Sequence, residues 1–361
     1  MKILTILGTR PEIIRLSRII PQIDEYATQF LVFTGQNFEP HLGSGFFDEL
    51  KIRTPDEFWS VHALKAYEQI AAMYHRMGET LERVKPDRVL VLGDTNSGLS
   101  AVIAARFHIP VYHLEAGNRC FDDRVPEEIN RRVIDHVSRV LLPYTHRSQE
   151  NLLREGIERQ RTIVVGNPIY EVMQHYHALI VGSSALSRFS LIPGQYFLAT
   201  LHRAETVDNP ARLVRLVSAL FQVVDQWKLP LVISLHPRTR HRLEEFGLSL
   251  EREGIVVTEP LGFGDFVRLE QDARLVLTDS GTVQEECAIM GIANVTLRHT
   301  TERPETIECG SNILAGTRAE TMLRAVEMAL SPARAGWSPP AEYLVPDVSS
   351  IVTGVVLGES L

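Results

Sequence analysis

Arg-Val-Leu-Val-Leu-Gly-Asp-Thr-Asn-Ser, residues 88–97, is the stretch on which the fold turns. It reads as an almost wholly apolar strand that stops at a glycine and a carboxylate. Outward from it, short apolar runs alternate with helical patterns, the mark of a parallel sheet with crossover helices. In the first half the patterns predict strands over 2–7, 30–34, 88–92, 111–114, 140–142 and 162–165. Helices are expected over 12–23, 66–84, 97–107 and 129–137. The second half repeats the scheme, with strands over 196–200, 231–234, 255–258, 275–277 and 294–297 and helices over 211–227, 263–271 and 283–290. The expected architecture is therefore α/β, two doubly wound domains over 1–168 and 169–345. A terminal segment, 346–361, carries a last helix whose packing partner the sequence does not show. Ligands of such sheets sit beyond the carboxyl ends of the strands. With two domains facing each other, that places the ligand in a cleft.

At 361 residues the chain exceeds what a single core usually supports, in keeping with two domains. The formal net charge of -8 argues against a nucleic-acid partner. Three cysteines, far apart and odd in number, indicate neither a disulfide framework nor a metal site. The first residues lack a signal-peptide layout, and no run approaches the roughly 18 apolar residues of a membrane span. A soluble cytoplasmic protein with no membrane partner is expected.

The polar groups cluster where the apolar runs end. Gly8-Thr9-Arg10-Pro11-Glu12 suits a strand-to-helix turn, and Arg10 beside a helix start is also a good anion seat. No GxGxxG follows any candidate strand, which weighs against a nicotinamide cofactor. Asp94 either caps the helix that follows or acts with Glu115, since carboxylates at neighbouring strand ends repel and one pKa should rise. His113 shares a strand face with Glu115, and a buried, hydrogen-bonded histidine is its commoner fate. No metal is expected, because no HExxH or Cys/His set accompanies the pair. In Pro-Glu-Glu-Ile-Asn-Arg-Arg (126–132), Glu127–Arg131 and Glu128–Arg132 are i,i+4 pairs that a solvated helix face would explain. Closeness to Glu115 favours a functional role instead. His202 and His236 each follow a strand with an arginine nearby, a pattern suited to phosphate binding or proton transfer. Asp279-Ser280-Gly281-Thr282 opens a helix whose free NH groups suit a pyrophosphate, and Glu286 lies one turn further on, placed for ribose hydroxyls. Arg298 and Arg303 add positive charge there.

Taken together, GTRPE (8–12), TGQ (34–36), GDT (93–95), HLEAG (113–117), PEEINRR (126–132), HR (202–203), TDSGTVQEE (278–286) and TERPE (301–305) resemble the non-hydrolysing UDP-N-acetylglucosamine 2-epimerases over essentially the whole length. The resemblance implies two Rossmann-like domains arranged as in the glycosyltransferase-B fold, a homodimer, a UDP-sugar substrate and no redox cofactor. It implies inversion at C2 by elimination of UDP to a 2-acetamidoglycal and re-addition. Asp94, Glu115 and Glu127 would be the acid/base carboxylates, assisted by Arg131 and His202. Arg10, Ser280, Gly281 and Glu286 would hold UDP, and Phe266 would stack on uracil. Arg15, His236, Thr282 and Arg303 complete the expected binding set.

Three positions depart from the common family pattern. Arg15 replaces a lysine, Asn37 stands where many members have histidine, and Gly-Asn-Arg-Cys-Phe-Asp (117–122) replaces a Gly-Leu-Arg-Thr-Gly run. That segment looks like the capsule and O-antigen branch acting on 6-deoxy sugars, which forms UDP-N-acetyl-L-fucosamine. A hydrolysing 2-epimerase and a glycosyltransferase of the same architecture are the alternative readings.

Overall fold

The computed structural model describes residues 1–36, 40–61, 65–332 and 336–359. The chain divides into two compact units, Met1–His175 with Ala341–Leu361, and Tyr176–Pro340.

The first unit is built on six parallel strands: β1 (Lys2–Leu7), β2 (Thr28–Phe33), β3 (Glu57–Phe58), β4 (Arg88–Leu92), β5 (Val111–Leu114) and β6 (Val140–Leu142), ordered β3-β2-β1-β4-β5-β6. The second carries β7 (Phe197–Leu201), β8 (Leu231–Leu235), β9 (Ile255–Thr258), β10 (Leu275–Thr278), β11 (Asn294–Thr296) and β12 (Asn312–Leu314), ordered β9-β8-β7-β10-β11-β12 from one edge. Both units thus have the doubly wound 3-2-1-4-5-6 order, and both are Rossmann-like α/β domains. The strand order reverses between β1 and β4 in one sheet and between β7 and β10 in the other.

Burial on both faces explains the near-continuous apolar strands. In the second sheet alternate residues sort into two cores. Phe197, Ala199, Ile233 and Leu277 pack on one face, and Leu198, Val232 and Val276 pack with Tyr196 and Phe266 on the other. Each fully buried Leu, Val, Ile or Phe side chain contributes about 1.5–3 kcal/mol.

Several elements differ from expectation. The helix expected over 12–23 is two helices, Arg10–Leu16 and Ile19–Tyr26. Pro21 lacks an NH and its ring would meet the carbonyl of Ser17, so one continuous helix is excluded. Residues 162–165 form no strand; they run beside β6 with a single bridge, Leu141 to Thr162. The helix Pro126–Val137 begins at the proline, as a proline in the first turn of a helix indicates, ahead of the apolar run from 129.

The last helix, Val348–Leu357, belongs to the first unit. Ser349 donates its NH to Glu171 Oε2 at 2.8 Å, and Gln22 Nε2 donates to Ser350 Oγ at 2.9 Å. Glu171 lies in the helix Ile169–His175, so that helix stays with the first unit too, and the division falls after His175 rather than at 168/169. Among the described residues no helix is long and apolar enough to cross a membrane. Among them, too, no group of three His, Cys, Asp or Glu side chains is disposed to hold a metal ion.

Candidate active site

The strand ends at the two switch points carry Arg10, Asp94, His202, Ser280, Gly281 and Thr282. In the first unit the chain leaving β1 begins Gly8-Thr9-Arg10, and the chain leaving β4 begins Gly93-Asp94-Thr95. Gly8 is required by space, because a Cβ there would overlap Ser97 Oγ and Thr34 Oγ1. Thr9 caps the helix Arg10–Leu16 in a reciprocal capping box with Glu12. The half-buried Arg10 lays its guanidinium 5.4 Å from the Phe46 ring centroid.

Asp94 and Glu115 do not form the bare like-charge pair expected from their strand ends, because each is paired with a guanidinium, Glu115 with Arg15 and Asp94 with Arg131, which Glu128 shares. Arg131 donates from Nε to Asp94 Oδ2 at 2.8 Å, and Arg15 donates from Nη1 to Glu115 Oε2. Arg15 and Glu115 are both buried, so removing either partner would strand a charge, at about 3–5 kcal/mol. Glu115 also accepts from Asn118 Nδ2 at 3.2 Å and from the Tyr144 hydroxyl at 3.4 Å. Its backbone is left-handed, φ 72°, a strained conformation for a non-glycine residue that points to a functional constraint. Arg15 is therefore occupied by Glu115, with its charge centre 5.5 Å from the Tyr144 ring.

Glu127 is half-buried in the first turn of the helix Pro126–Val137. Its neighbour Glu128 does not lie on a solvated face. It is fully buried, accepts the NH groups of Cys120 and Phe121 at 3.0 Å each, and pairs with Arg131 at 2.5 Å and Arg132 at 3.3 Å. Burial opposes ionisation of Glu128, but those NH groups and the Arg131 charge hold its carboxyl below the usual range.

Glu12 is a carboxyl pushed upward. Burial raises it to about 7, against the opposing pull of hydrogen bonds from Thr95, Gly8 and Thr9. Thr95 Oγ1 donates to Oε1 at 2.7 Å, and the NH groups of Gly8 and Thr9 donate to Oε2. Glu12 thus ties the loop after β1 to the loop after β4.

In the second unit Asp279, at the end of β10, is fully buried and organises the end of β7. It accepts from the NH of His202 and the NH of Arg203, and pairs with His202 Nδ1 at 3.1 Å. Burial opposes its charge, yet His202 and these NH groups keep its carboxyl below the ordinary value. The His236 ring lies 5.6 Å from that of His202, so the two strand-end histidines come together. Ser280 and Gly281 open the helix Gly281–Met290, where Ser280 Oγ and Thr282 Oγ1 are 3.0 Å apart. A Cβ at Gly281 would come 2.6 Å from Glu302 Oε1, so that approach needs glycine.

Arg298 and Arg303 are not open cations. Arg303 pairs with Glu285, while Arg298 and Arg203 grip Glu302 at 2.9 and 3.0 Å, framing the start of the same helix. Glu286 is buried in that helix, and Phe266 lies in the apolar cluster with Leu198 and Val276, 8% exposed. Asn37 lies outside the described residues.

The sequence matches the family model described as UDP-N-acetylglucosamine 2-epimerase over residues 22–352. A UDP-N-acetylglucosamine 2-epimerase of Methanocaldococcus jannaschii is 41% identical over 94% of this chain and 95% of its own length. The chain belongs to this family. The crystal structure of the M. jannaschii UDP-GlcNAc 2-epimerase with UDP-GlcNAc and UDP superimposes with a TM-score of 0.93 at 39% identity, covering 99% of this chain and all of the other. A Pseudomonas aeruginosa UDP-2,3-diacetamido-2,3-dideoxy-D-glucuronate 2-epimerase is 40% identical over 91% of this chain and 92% of its own. As a family member the protein is an isomerase acting on carbohydrates.

Several residues that frame these candidate groups went unassigned in the sequence. Glu12 follows the Thr9 cap by three, the capping-box spacing, and that signal could have found it. Asp135 follows Arg131 by four and so shares its helix face. It pairs with His113 Nδ1 at 2.8 Å and Arg119 Nη2 at 2.8 Å. Asp279 had no such local signature, because its partners His202 and Arg203 come from a distant segment, whereas Glu128 pairs with Arg131 and Arg132 and Glu302 with Arg298 within a helical turn of sequence.

Proposed function

We propose that the protein epimerises C2 of a UDP-N-acetylhexosamine without hydrolysis, taking UDP-N-acetylglucosamine to UDP-N-acetylmannosamine and back. The observation that carries this reading is the pair of carboxylates Asp94 and Glu115 on adjacent strand ends, each paired with a different buried arginine. The C2 proton is a poor acid because the acetamido group does not conjugate with a carbanion there. Elimination avoids that carbanion: a carboxylate takes the C2 proton while the C1–O bond breaks and UDP leaves with the electron pair. In the resulting 2-acetamidoglycal, C2 is then protonated from the opposite face as UDP re-adds at C1. Two faces require two proton-transfer groups, the role given to Asp94, Glu115 and Glu127. Arg131 neutralises negative charge beside them. In the second unit His202, His236 and the NH groups at Ser280 and Gly281 suit the departing diphosphate, with Thr282 beside them. Glu286 suits ribose hydroxyls and Phe266 the uracil ring; Arg10 is a further anion partner.

Relatives near 40% identity act, by their names, on UDP-sugars that differ at C3 and C6. A 6-deoxy congener, giving UDP-N-acetyl-L-fucosamine, therefore belongs in the substrate panel beside UDP-N-acetylglucosamine. The reading includes a cytoplasmic homodimer, to be checked by sedimentation.

Incubation with each UDP-sugar in deuterated water, followed at C2 by NMR, is the test. Deuterium at C2 with UDP still attached is the expected result. Stoichiometric free UDP and sugar would replace the reading with a hydrolysing epimerase, and no change without an acceptor would favour a glycosyltransferase. The Glu115→Gln variant should lose exchange while its UDP affinity stays within several-fold; undiminished exchange would remove Glu115 from the catalytic set.

A further inference from the structure

Beneath the loops that carry Asp94 and Glu115 runs a buried chain of polar groups that proton transfer itself does not use. Asp135, fully buried in the helix Pro126–Val137, sits at its centre. One carboxylate oxygen pairs with His113 Nδ1 at 2.8 Å. The other accepts the NH of Gly117 at 3.2 Å and lies 2.8 Å from Arg119 Nη2. His113, 1% exposed on β5, continues the chain through Nε2, 2.8 Å from the carbonyl oxygen of Gly93. A carbonyl only accepts, so Nε2 carries a hydrogen and donates it. Gly93 immediately precedes Asp94, and Gly117 follows Glu115 by two. One carboxylate therefore holds both loops, directly at Gly117 and through His113 at Gly93. Burial works against its charge, but His113 and Arg119 keep the carboxyl below the usual range.

We propose that His113 and Asp135 are positioning residues that set the placement of Asp94 relative to Glu115, and hence the alignment of proton transfer at C2. The inference rests on the reading of Asp94 and Glu115 as acid/base groups. A misplacement of about 1 Å can lower a rate about a hundredfold while leaving remote binding contacts intact.

Two variants of similar polarity separate positioning from mere support. In His113→Asn the amide nitrogen falls near the place of Nδ1, keeping a donor toward Asp135 and losing the grip on Gly93. In His113→Gln it reaches the place of Nε2, keeping the Gly93 carbonyl and losing Asp135. Thermal melting should rank His113→Asn the more stable, because it keeps a donor on the buried Asp135 oxygen that Gly117 and Arg119 do not contact. Turnover should rank them the other way, with kcat down about a hundredfold in His113→Asn and about tenfold in His113→Gln. KM and the affinity for UDP, measured by calorimetry, should stay within threefold. With wild-type deuterium exchange present, equal turnover in the two variants, turnover ranked as stability is, or a change confined to KM would overturn the positioning role alone. Absence of exchange in the wild type would overturn the acid/base reading first, and the positioning role with it.

Discussion

Glu12→Gln separates the penalty of a buried charge from the value of a buried acceptor. In the wild type, burial raises the Glu12 carboxyl from 4.5 to about 7. Between those pH values the folded protein keeps a proton that the unfolded chain has released, so stability falls as pH rises through the window. Below 4.5 both states are protonated and the penalty is absent; above 7 it is fully present. A gap of about 2.5 units at about 1.4 kcal/mol each amounts to about 3 kcal/mol. The glutamine does not ionise. Its carbonyl can accept the NH groups of Gly8 and Thr9, and its NH2 can donate to Thr95 Oγ1, a hydroxyl able to turn its own hydrogen away. Relative to wild type, the variant should therefore gain most of that 3 kcal/mol between pH 5 and pH 8. For a unit of this size the gain corresponds to about 6–12 °C in Tm. Calorimetric melts of both proteins at several pH values give the difference directly, since groups common to both cancel. A Tm difference that is the same at pH 5 and pH 8 would refute the argument that burial raises this carboxyl.

Gly8→Ala should destabilise the first unit by about 1–3 kcal/mol and reduce turnover, because the new methyl group must displace Ser97 and Thr34, which are 2.7 Å apart through their hydroxyls. Urea unfolding checks the first effect and the exchange assay the second. Asp279→Asn should cost about 1–3 kcal/mol at pH 7, since an amide cannot accept from all three donors at the end of β7. The Asp279 carboxyl is held below its ordinary 3.8, so its contribution is complete above that value and lost as pH falls through the folded pKa. The variant and wild type should accordingly converge in acid, which denaturation at pH 3 and pH 7 would reveal.

Much of this protein was legible without coordinates. Lys2–Leu7, Arg88–Leu92, Val111–Leu114, Val140–Leu142 and Ile255–Thr258 are strands with the bounds their apolar runs indicate. Burial on both faces permits only such runs, so the strand pattern is written locally. The strand-end residues were visible for a related reason: a carboxylate or arginine closing an apolar strand is conspicuous in any linear reading. Pro21 could also have been read, since a proline imposes its break on its own neighbours.

Partnership was decided only in three dimensions. Arg15 and Glu115 are a hundred residues apart in the chain, and Arg131 reaches Asp94 from a different element. The composition holds many carboxylates and arginines, and nothing local says which of them will meet. That choice sets the protonation of each group, because burial and the nearest counter-charge outweigh intrinsic acidity. Like-charge repulsion between Asp94 and Glu115 was the natural inference from strand ends. Two guanidiniums delivered by other elements face those carboxylates, and burial raises a third carboxyl, Glu12. The sheets follow from hydrophobic periodicity acting over a few residues, whereas the charge state of the site follows from packing that joins segments far apart in the chain.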